Sequence, residues 1–218
     1  MGRYVVIGLG GFGSAVARTL EELGHEVIVV ERNGVLVDRA AEWVTRAVEG
    51  DATDPSVLRG AGVLGAEAAI VSTGENLAGS ILATVSLHDL GIRDVYVKAG
   101  NETESRAFNA LGVVEAIIPE QEAGERLARR IVKRAVLDYQ PLCVGHSIQE
   151  MAVPEGWVGR TLRNLAAREL GVQVIAVRDA LTDSARVPPD PDAALKDSDS
   201  LVVAGSDAAL EKLQRKGG

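Results

Sequence analysis

The chain has one cysteine, Cys143, among 218 residues, and Phe, Trp and Tyr together make up only 3% of it. A single thiol excludes an internal disulfide and a cysteine-built zinc site, and it fits a reducing compartment. So few aromatics leave no platform on which successive bases can stack. Positive charge is also in deficit: 23 Lys and Arg stand against 31 Asp and Glu, a formal net charge of −8. That is the wrong sign for a surface that displaces counterions from phosphates, so no nucleic-acid partner is expected. Long apolar runs are missing as well. The longest stretch free of Asp, Glu, Lys and Arg, residues 4–17, contains Gly8, Gly10, Gly11 and Gly13, and it falls short of the ~20 residues that cross a bilayer. Only Arg3 precedes it and no small-residue cleavage site follows, so it reads as folded chain rather than a signal segment. The expectation is a cytoplasmic protein with no direct membrane insertion.

What is present is the balance of an ordinary globular protein, 46% apolar and 25% charged. Short β-rich apolar runs at residues 4–7, 26–31, 47–49, 68–72, 95–99 and 116–118 alternate with helical patterns at 35–43, 76–90 and 103–111 and with a helix opened by Asp54-Pro55. A further helix follows the first run and carries Val16, Leu20 and Leu23 on one face. Six strands alternating with helices predict a Rossmann-like, doubly wound parallel sheet of the α/β class. Pro119-Glu120 then opens a long helix, predicted over 121–138, and Tyr139-Gln140-Pro141 ends it. The domain reading is therefore a nucleotide-binding domain at 1–139, a linker at 140–146 and a small α+β domain at 147–218. In the last, strands are predicted at 148–153, 173–178 and 201–204, with helices at 161–170 and 207–214. Its Pro188, Pro189 and Pro191, set among acids, mark a loop.

Gly8, Gly10 and Gly13 have the G-x-G-x-x-G spacing between a strand and a helix. The first glycine permits the tight turn, the second lets backbone approach a pyrophosphate, and the third lets helix and strand pack closely. Gly11 and Phe12 complete the turn, beside a helix amino end whose N–H groups face phosphate. Glu31, at the end of the second strand, is placed to accept hydrogen bonds from ribose hydroxyls and to repel a 2′-phosphate, whereas Arg32 beside it weakens that repulsion. Arg32 reads either as a solvated charge or as a phosphate contact. Ligands of open α/β sheets lie beyond the strand carboxyl ends. That rule adds Asp51, Ala52, Thr73, Gly74 and Lys98 as candidates, Asp51 for an adenine amino group and Lys98 for a phosphate or an acid across the cleft. Turn formation and surface charge are the plainer roles for these residues.

Taken together, these residues resemble the regulator of potassium conductance subunits of Trk/Ktr-type bacterial potassium uptake systems. The resemblance is carried by Gly8-Leu9-Gly10-Gly11-Phe12-Gly13, Val29-Val30-Glu31-Arg32-Asn33, Gly50-Asp51-Ala52-Thr53, Val95-Tyr96-Val97-Lys98-Ala99 and Ile117-Ile118-Pro119-Glu120. In the second domain it continues through Val158-Gly159-Arg160-Thr161-Leu162 and Val174-Ile175-Ala176-Val177-Arg178. It implies a cytosolic gating subunit, a homodimer assembled into rings, docked beneath a potassium-translocating membrane protein. It also implies phosphate contacts at Gly8, Gly10 and Gly13, ribose at Glu31, adenine at Asp51 and a divalent cation, magnesium or calcium, at Glu120 on the dimer interface. Helix capping is the local alternative for Glu120. Some members carry arginine at the position of Gly11, where it reaches a γ-phosphate across the dimer. With glycine there, NAD(H) and ATP/ADP both stay open. The small domain in this family can form a second ligand site, in some members for cyclic di-adenosine monophosphate.

The basic run Arg126, Arg129, Arg130, Lys133 and Arg134 reads as a solvated helix end, or as a contact with the membrane partner. The rival function is an NAD-dependent oxidoreductase or epimerase, which needs an acid–base group beside the nicotinamide. Its candidates are few. His25 falls in a turn, His88 on a helix and His146 in the predicted linker; Cys143 reads as a small apolar filler, and no tyrosine has lysine four residues on. The expectation is a regulatory protein, not an enzyme.

Overall fold

The computed structural model describes residues 1–74, 76–132, 136–165 and 167–217. Two compact units divide the chain, Met1–Gln121 and Glu122–Gly218. In the first, β1 (Arg3–Ile7), β2 (Glu26–Glu31), β3 (Arg46–Glu49), β4 (Ala68–Val71), β5 (Asp94–Lys98) and β6 (Glu115–Ile117) form one parallel sheet in the order β3-β2-β1-β4-β5-β6. The helices that follow the strands are α1 (Gly11–Glu22), α2 (Gly34–Ala40), α3 (Pro55–Ala61), α4 (Leu77–Asp89), α5 (Glu102–Ala110) and α6 (Pro119–Val132). The chain runs outward from β1 to β3, then returns to β4 on the other side of β1. That reversal opens a crevice at the carboxyl ends of the central strands.

Two-residue periodicity explains why both faces of the sheet are covered. Val5, Ile7, Ile28, Val30, Ala69 and Val71 pack on one face with Leu58, Leu87 and Phe108. Val6, Val27, Val29 and Ile70 pack on the other with Ala17, Ala40 and Val44, against the half-buried Val16 and Leu20 of α1. Each such side chain fully buried is worth about 1.5–3 kcal/mol of transfer free energy, which is what holds helices of 7–13 residues to the sheet. Local chemistry sets the helix starts. Asn33, Asp54, Asn76 and Asn101 each accept a first-turn backbone N–H through their side chain, at 3.0, 2.8, 3.0 and 3.0 Å. Pro55 sits inside the start of α3 and left-handed Gly62 ends it. Helix α1 differs: its cap position is Gly10, which has no side chain to give.

The second unit is an antiparallel sheet of β7 (Val136–Cys143), β8 (His146–Ala152), β9 (Gln173–Asp179), β10 (Ser184–Arg186) and β11 (Asp199–Ser206), ordered β10-β9-β11-β8-β7. Helix α7 (Asp207–Gly217) packs Leu210 and Leu213 onto Met151, Leu201 and Val203. A buried hydrogen-bond chain fixes its seat: Ser147 Oγ donates to Asp207 at 2.7 Å, Gln149 Nε2 donates to Ser147 Oγ at 2.9 Å, and Gln214 Nε2 donates to Gln149 Oε1 at 3.1 Å.

The second unit departs from the sequence reading in five places. The long helix expected over 121–138 is α6, which starts at Pro119 and runs to Val132; residues 133–135, with Lys133 and Arg134 of the basic run, lie outside the described residues. The linker expected at 140–146 is instead the end of β7 and the turn into β8, and the units divide after Gln121. Pro141 misleads here because β7 is an edge strand, where a missing N–H is tolerated. Cys143, expected as a small apolar filler, is exposed on that strand. The helix expected over 161–170 is a pair of 3₁₀ turns, Leu162–Leu165 and Ala167–Leu170, with Ala166 outside the described residues. Asn164 N donates to Thr161 O, three residues back, and Arg163 is held by Asp192. Tertiary contacts to the proline-rich loop thus override the helical spacing. Finally, the three exposed residues of β10 carry no burial pattern that sequence alone can detect.

Candidate functional site

The glycine turn after β1 is built from close backbone contacts. Gly8 has φ +89°, and a Cβ there would lie 2.2 Å from the Ser72 carbonyl oxygen. A Cβ on Gly13 would lie 2.0 Å from the Gly8 carbonyl oxygen, so that glycine lets α1 lie against the turn. Gly10 and Gly11 are different: a Cβ on either meets nothing within 4 Å. Their freedom faces open space in front of an α1 amino end that no side chain caps. First-turn N–H groups in that state suit an anionic ligand from outside the chain.

Glu31 closes the next corner. Its Oε2 accepts from Leu9 N at 2.7 Å and its Oε1 from Asn33 N at 2.9 Å, tying the end of β2 to the glycine turn and to the start of α2. Arg32 Nη2 donates to Asp51 Oδ1 at 2.6 Å, and the same oxygen accepts from Thr53 N at 2.9 Å and Thr53 Oγ1 at 2.8 Å. The Arg32 guanidinium and the Thr53 donors together lower the Asp51 pKa to about 2. Arg32 is therefore a paired charge, about half exposed. A cavity of about 320 Å³ joins these parts to the ends of β1 and β4, within the range of about 300–1,000 Å³ usual for small-ligand sites.

Of the residues singled out from sequence, Gly8, Gly10, Glu31, Arg32, Asp51, Ala52, Thr73 and Gly74 line this cavity together. Gly11, Phe12, Gly13 and Lys98 are not among its lining residues. Gly50, Thr53, Ser72, Asn76 and Gly79 also line it and were missed. Asn76 carried a usable signal, because an asparagine at a helix start on the sheet's carboxyl side belongs at the crevice. His25, His88, His146 and Cys143, the enzyme candidates, do not line the cavity. His25 accepts from Gly2 N at 3.2 Å, by the start of β1.

Lys98 pairs with Glu120 at the start of α6. The Lys98 ammonium, and then the backbone amide end of α6, hold the Glu120 carboxyl below its ordinary pKa. The folded state thus favours the ionised acid. Its contribution is present above the usual carboxylate range and fades as pH falls through the lowered value. Lys98→Met is expected to return the Glu120 titration to the ordinary range, read by NMR of its carboxyl carbon; an unmoved midpoint would mean that the amide end alone sets it. Among the described residues no three His, Cys, Asp or Glu are grouped to hold a metal.

The second unit holds a larger cavity of about 640 Å³, lined by Leu162, Ala167, Val172, Val174, Ile175, Val187, Pro188 and Pro191 among others. Arg163 staples the proline-rich loop beside it, with bonds of 2.7 and 2.9 Å to the two oxygens of Asp192.

A crevice of this kind, with a glycine turn after β1 and an acid at the end of β2, defines the class: a Rossmann-type unit followed by a small antiparallel-sheet unit. Residues 4–119 match the TrkA-N domain and residues 148–216 the TrkA-C domain, and the chain belongs to this family. It is 32% identical over 214 residues to Ktr system potassium uptake protein C of Bacillus subtilis (strain 168), covering 98% of this chain and 96% of that protein. It is 30% identical over 214 residues to Ktr system potassium uptake protein A of Vibrio alginolyticus, covering 97% and 96%. The fold also matches the solved structure of the GsuK channel bound to NAD, with a TM-score of 0.67 at 18% identity, over 100% of this chain and 39% of that longer one. The family expected from the motifs is the family found. No helix among the described residues is long and apolar enough to cross a membrane.

Proposed function

We propose that the chain is a nucleotide-responsive regulatory subunit of a potassium uptake system. An adenine nucleotide, NAD(H) or ATP/ADP, lies across the crevice with its phosphates on the α1 amino end, its ribose on Glu31 and its base toward Asp51. The observation that carries this reading is the pairing of open, uncapped glycine backbone at Gly10 with a fixed Glu31 carboxylate in one cavity. The near full-length relation to Ktr proteins supports potassium uptake as the regulated process. The chain acts at the inner face of the membrane through a Trk/Ktr-type potassium-translocating partner, as a homodimer or a ring of dimers. Binding regulates only if the ligand favours one arrangement of the copies over another. A divalent cation at Glu120 requires further oxygen ligands from a second copy and release of Lys98. Absence of a histidine, cysteine, tyrosine or lysine from the described lining of the crevice supports regulation over hydride chemistry.

The test is calorimetric titration of the purified chain with NAD, NADH, ATP, ADP and cyclic di-adenosine monophosphate. Saturable binding of at least one of the first four is expected, and binding of none of them overturns the site. Turnover of a reduced nicotinamide with small carbonyl compounds would favour the oxidoreductase instead. The transport role is tested by potassium uptake in deficient cells that express a Trk/Ktr-type membrane subunit with or without the chain, where uptake should depend on its presence.

A further inference from the structure

The corner where β2 and β3 end holds charges of opposite sign, and it bears on which adenine nucleotides enter the crevice; the inference rests on the nucleotide reading above. Arg32 directly follows Glu31, and an arginine at this corner of a Rossmann unit is the residue type that takes a ligand's 2′-phosphate. Its guanidinium is committed elsewhere, 2.6 Å from Asp51 Oδ1. Asp51 is no loose surface acid, because Thr53 N and Thr53 Oγ1 hold the same oxygen. Glu31 cannot swing aside either, since Leu9 N and Asn33 N hold its two oxygens. The corner therefore presents a fixed anion and a sequestered cation. We infer that Asp51 sets ligand specificity through Arg32: by holding the guanidinium it withholds the cation that a 2′-phosphate needs, and the crevice selects nucleotides with a free 2′-hydroxyl.

Both side chains are about half exposed, and such pairs are individually weak. The anchoring of Asp51 by Thr53 is what makes this one persistent. Releasing Arg32 is then expected to shift the balance between ligands by about tenfold, the size of one charge-assisted bond at a wet site.

The experiment measures affinities of the full chain for NAD against NADP, and for AMP against adenosine 2′,5′-bisphosphate, since each pair differs by the 2′-phosphate alone. The wild type should favour the member without it. Asp51→Asn should move the ratio about tenfold toward the 2′-phosphorylated member. Arg32→Met in the Asp51→Asn background should cancel that gain, and Arg32→Met alone should leave the wild-type ratio unchanged. Thermal melting checks that each variant is folded. An unchanged ratio in Asp51→Asn overturns the proposal, as does a gain that survives in the double variant, which would mean that Asp51 acts only by its own charge. Loss of all binding in Asp51→Asn also overturns it, because the contact with the base would then be the whole role of Asp51. Wild-type chain that binds neither member of either pair overturns the proposal, and failure with NADH, ATP and ADP as well refutes the nucleotide reading.

Discussion

Alanine at Gly13 or Gly8 is expected to destabilise the first unit by about 3 kcal/mol, while alanine at Gly10 leaves stability within about 0.5 kcal/mol of wild type. The four residues from Gly10 to Gly13 contain three glycines with two different jobs. At Gly13 a methyl group would meet the Gly8 carbonyl oxygen at 2.0 Å. The obstacle is backbone, so relief requires α1 to move off β1 and to give up packing of Val16 and Leu20 on the sheet. At Gly8 the methyl group would meet the Ser72 carbonyl oxygen at 2.2 Å, and a left-handed φ of +89° adds strain for any L-residue. A loss of this size is a large part of a domain stability of about 5–15 kcal/mol. At Gly10 nothing lies within 4 Å of the new carbon, and only the small capping difference between glycine and alanine is felt. The methyl group would instead stand where a ligand phosphate must approach, so nucleotide affinity should fall by tenfold or more at nearly unchanged stability. Urea unfolding of the three variants, paired with nucleotide titration of Gly10→Ala, separates the two jobs. A Gly13→Ala chain as stable as wild type, or a Gly10→Ala chain with unchanged affinity, would show that the glycines are not divided in this way.

The first unit is legible in the sequence because its strands are buried on both faces. Val27, Val29 and their neighbours leave continuous apolar runs, and the helix starts carry Asn or Asp that cap them. Spacing alone then locates Gly8, Gly10 and Glu31 at one crevice. The second unit is less legible because its information is tertiary. Residues 137–143 of β7 are mostly exposed and contain Pro141, so the strand neither alternates nor excludes proline as a central strand does. The turns around Leu165 keep helical spacing but are bent by Arg163 reaching Asp192, 29 residues away. In the site itself, the Arg32–Asp51 pair joins ends of strands separated by a helix, and no local pattern announces it. Side chains aimed by adjacent strand ends converge only once the strand order is known.

Replacing Glu31 by alanine is expected to weaken adenine-nucleotide binding by about tenfold to a hundredfold, the value of one to two charge-assisted hydrogen bonds to ribose hydroxyls. Two losses combine. The carboxylate that accepts the hydroxyls disappears, and so does the tie between Leu9 N and Asn33 N that sets the spacing between glycine turn and ribose corner. Their separate sizes can be measured, because Glu31→Gln keeps one carbonyl oxygen and the side chain's length. That variant can still accept one backbone N–H, but its amide presents donors toward the hydroxyls and carries no charge. If the acceptor role dominates, Glu31→Gln should bind nearly as poorly as Glu31→Ala while melting close to wild type. If the tie dominates, the glutamine variant should recover most of the affinity and stability together. Calorimetric affinity read beside urea midpoints distinguishes these outcomes, and unchanged affinity in both variants would remove Glu31 from the ribose assignment. The neutral glutamine should also lessen the penalty against a 2′-phosphate by removing the fixed anion. Because Arg32 remains held by Asp51 in that variant, the gain should be smaller than when Arg32 is released, which places the stronger part of 2′-phosphate discrimination in the Arg32–Asp51 pair.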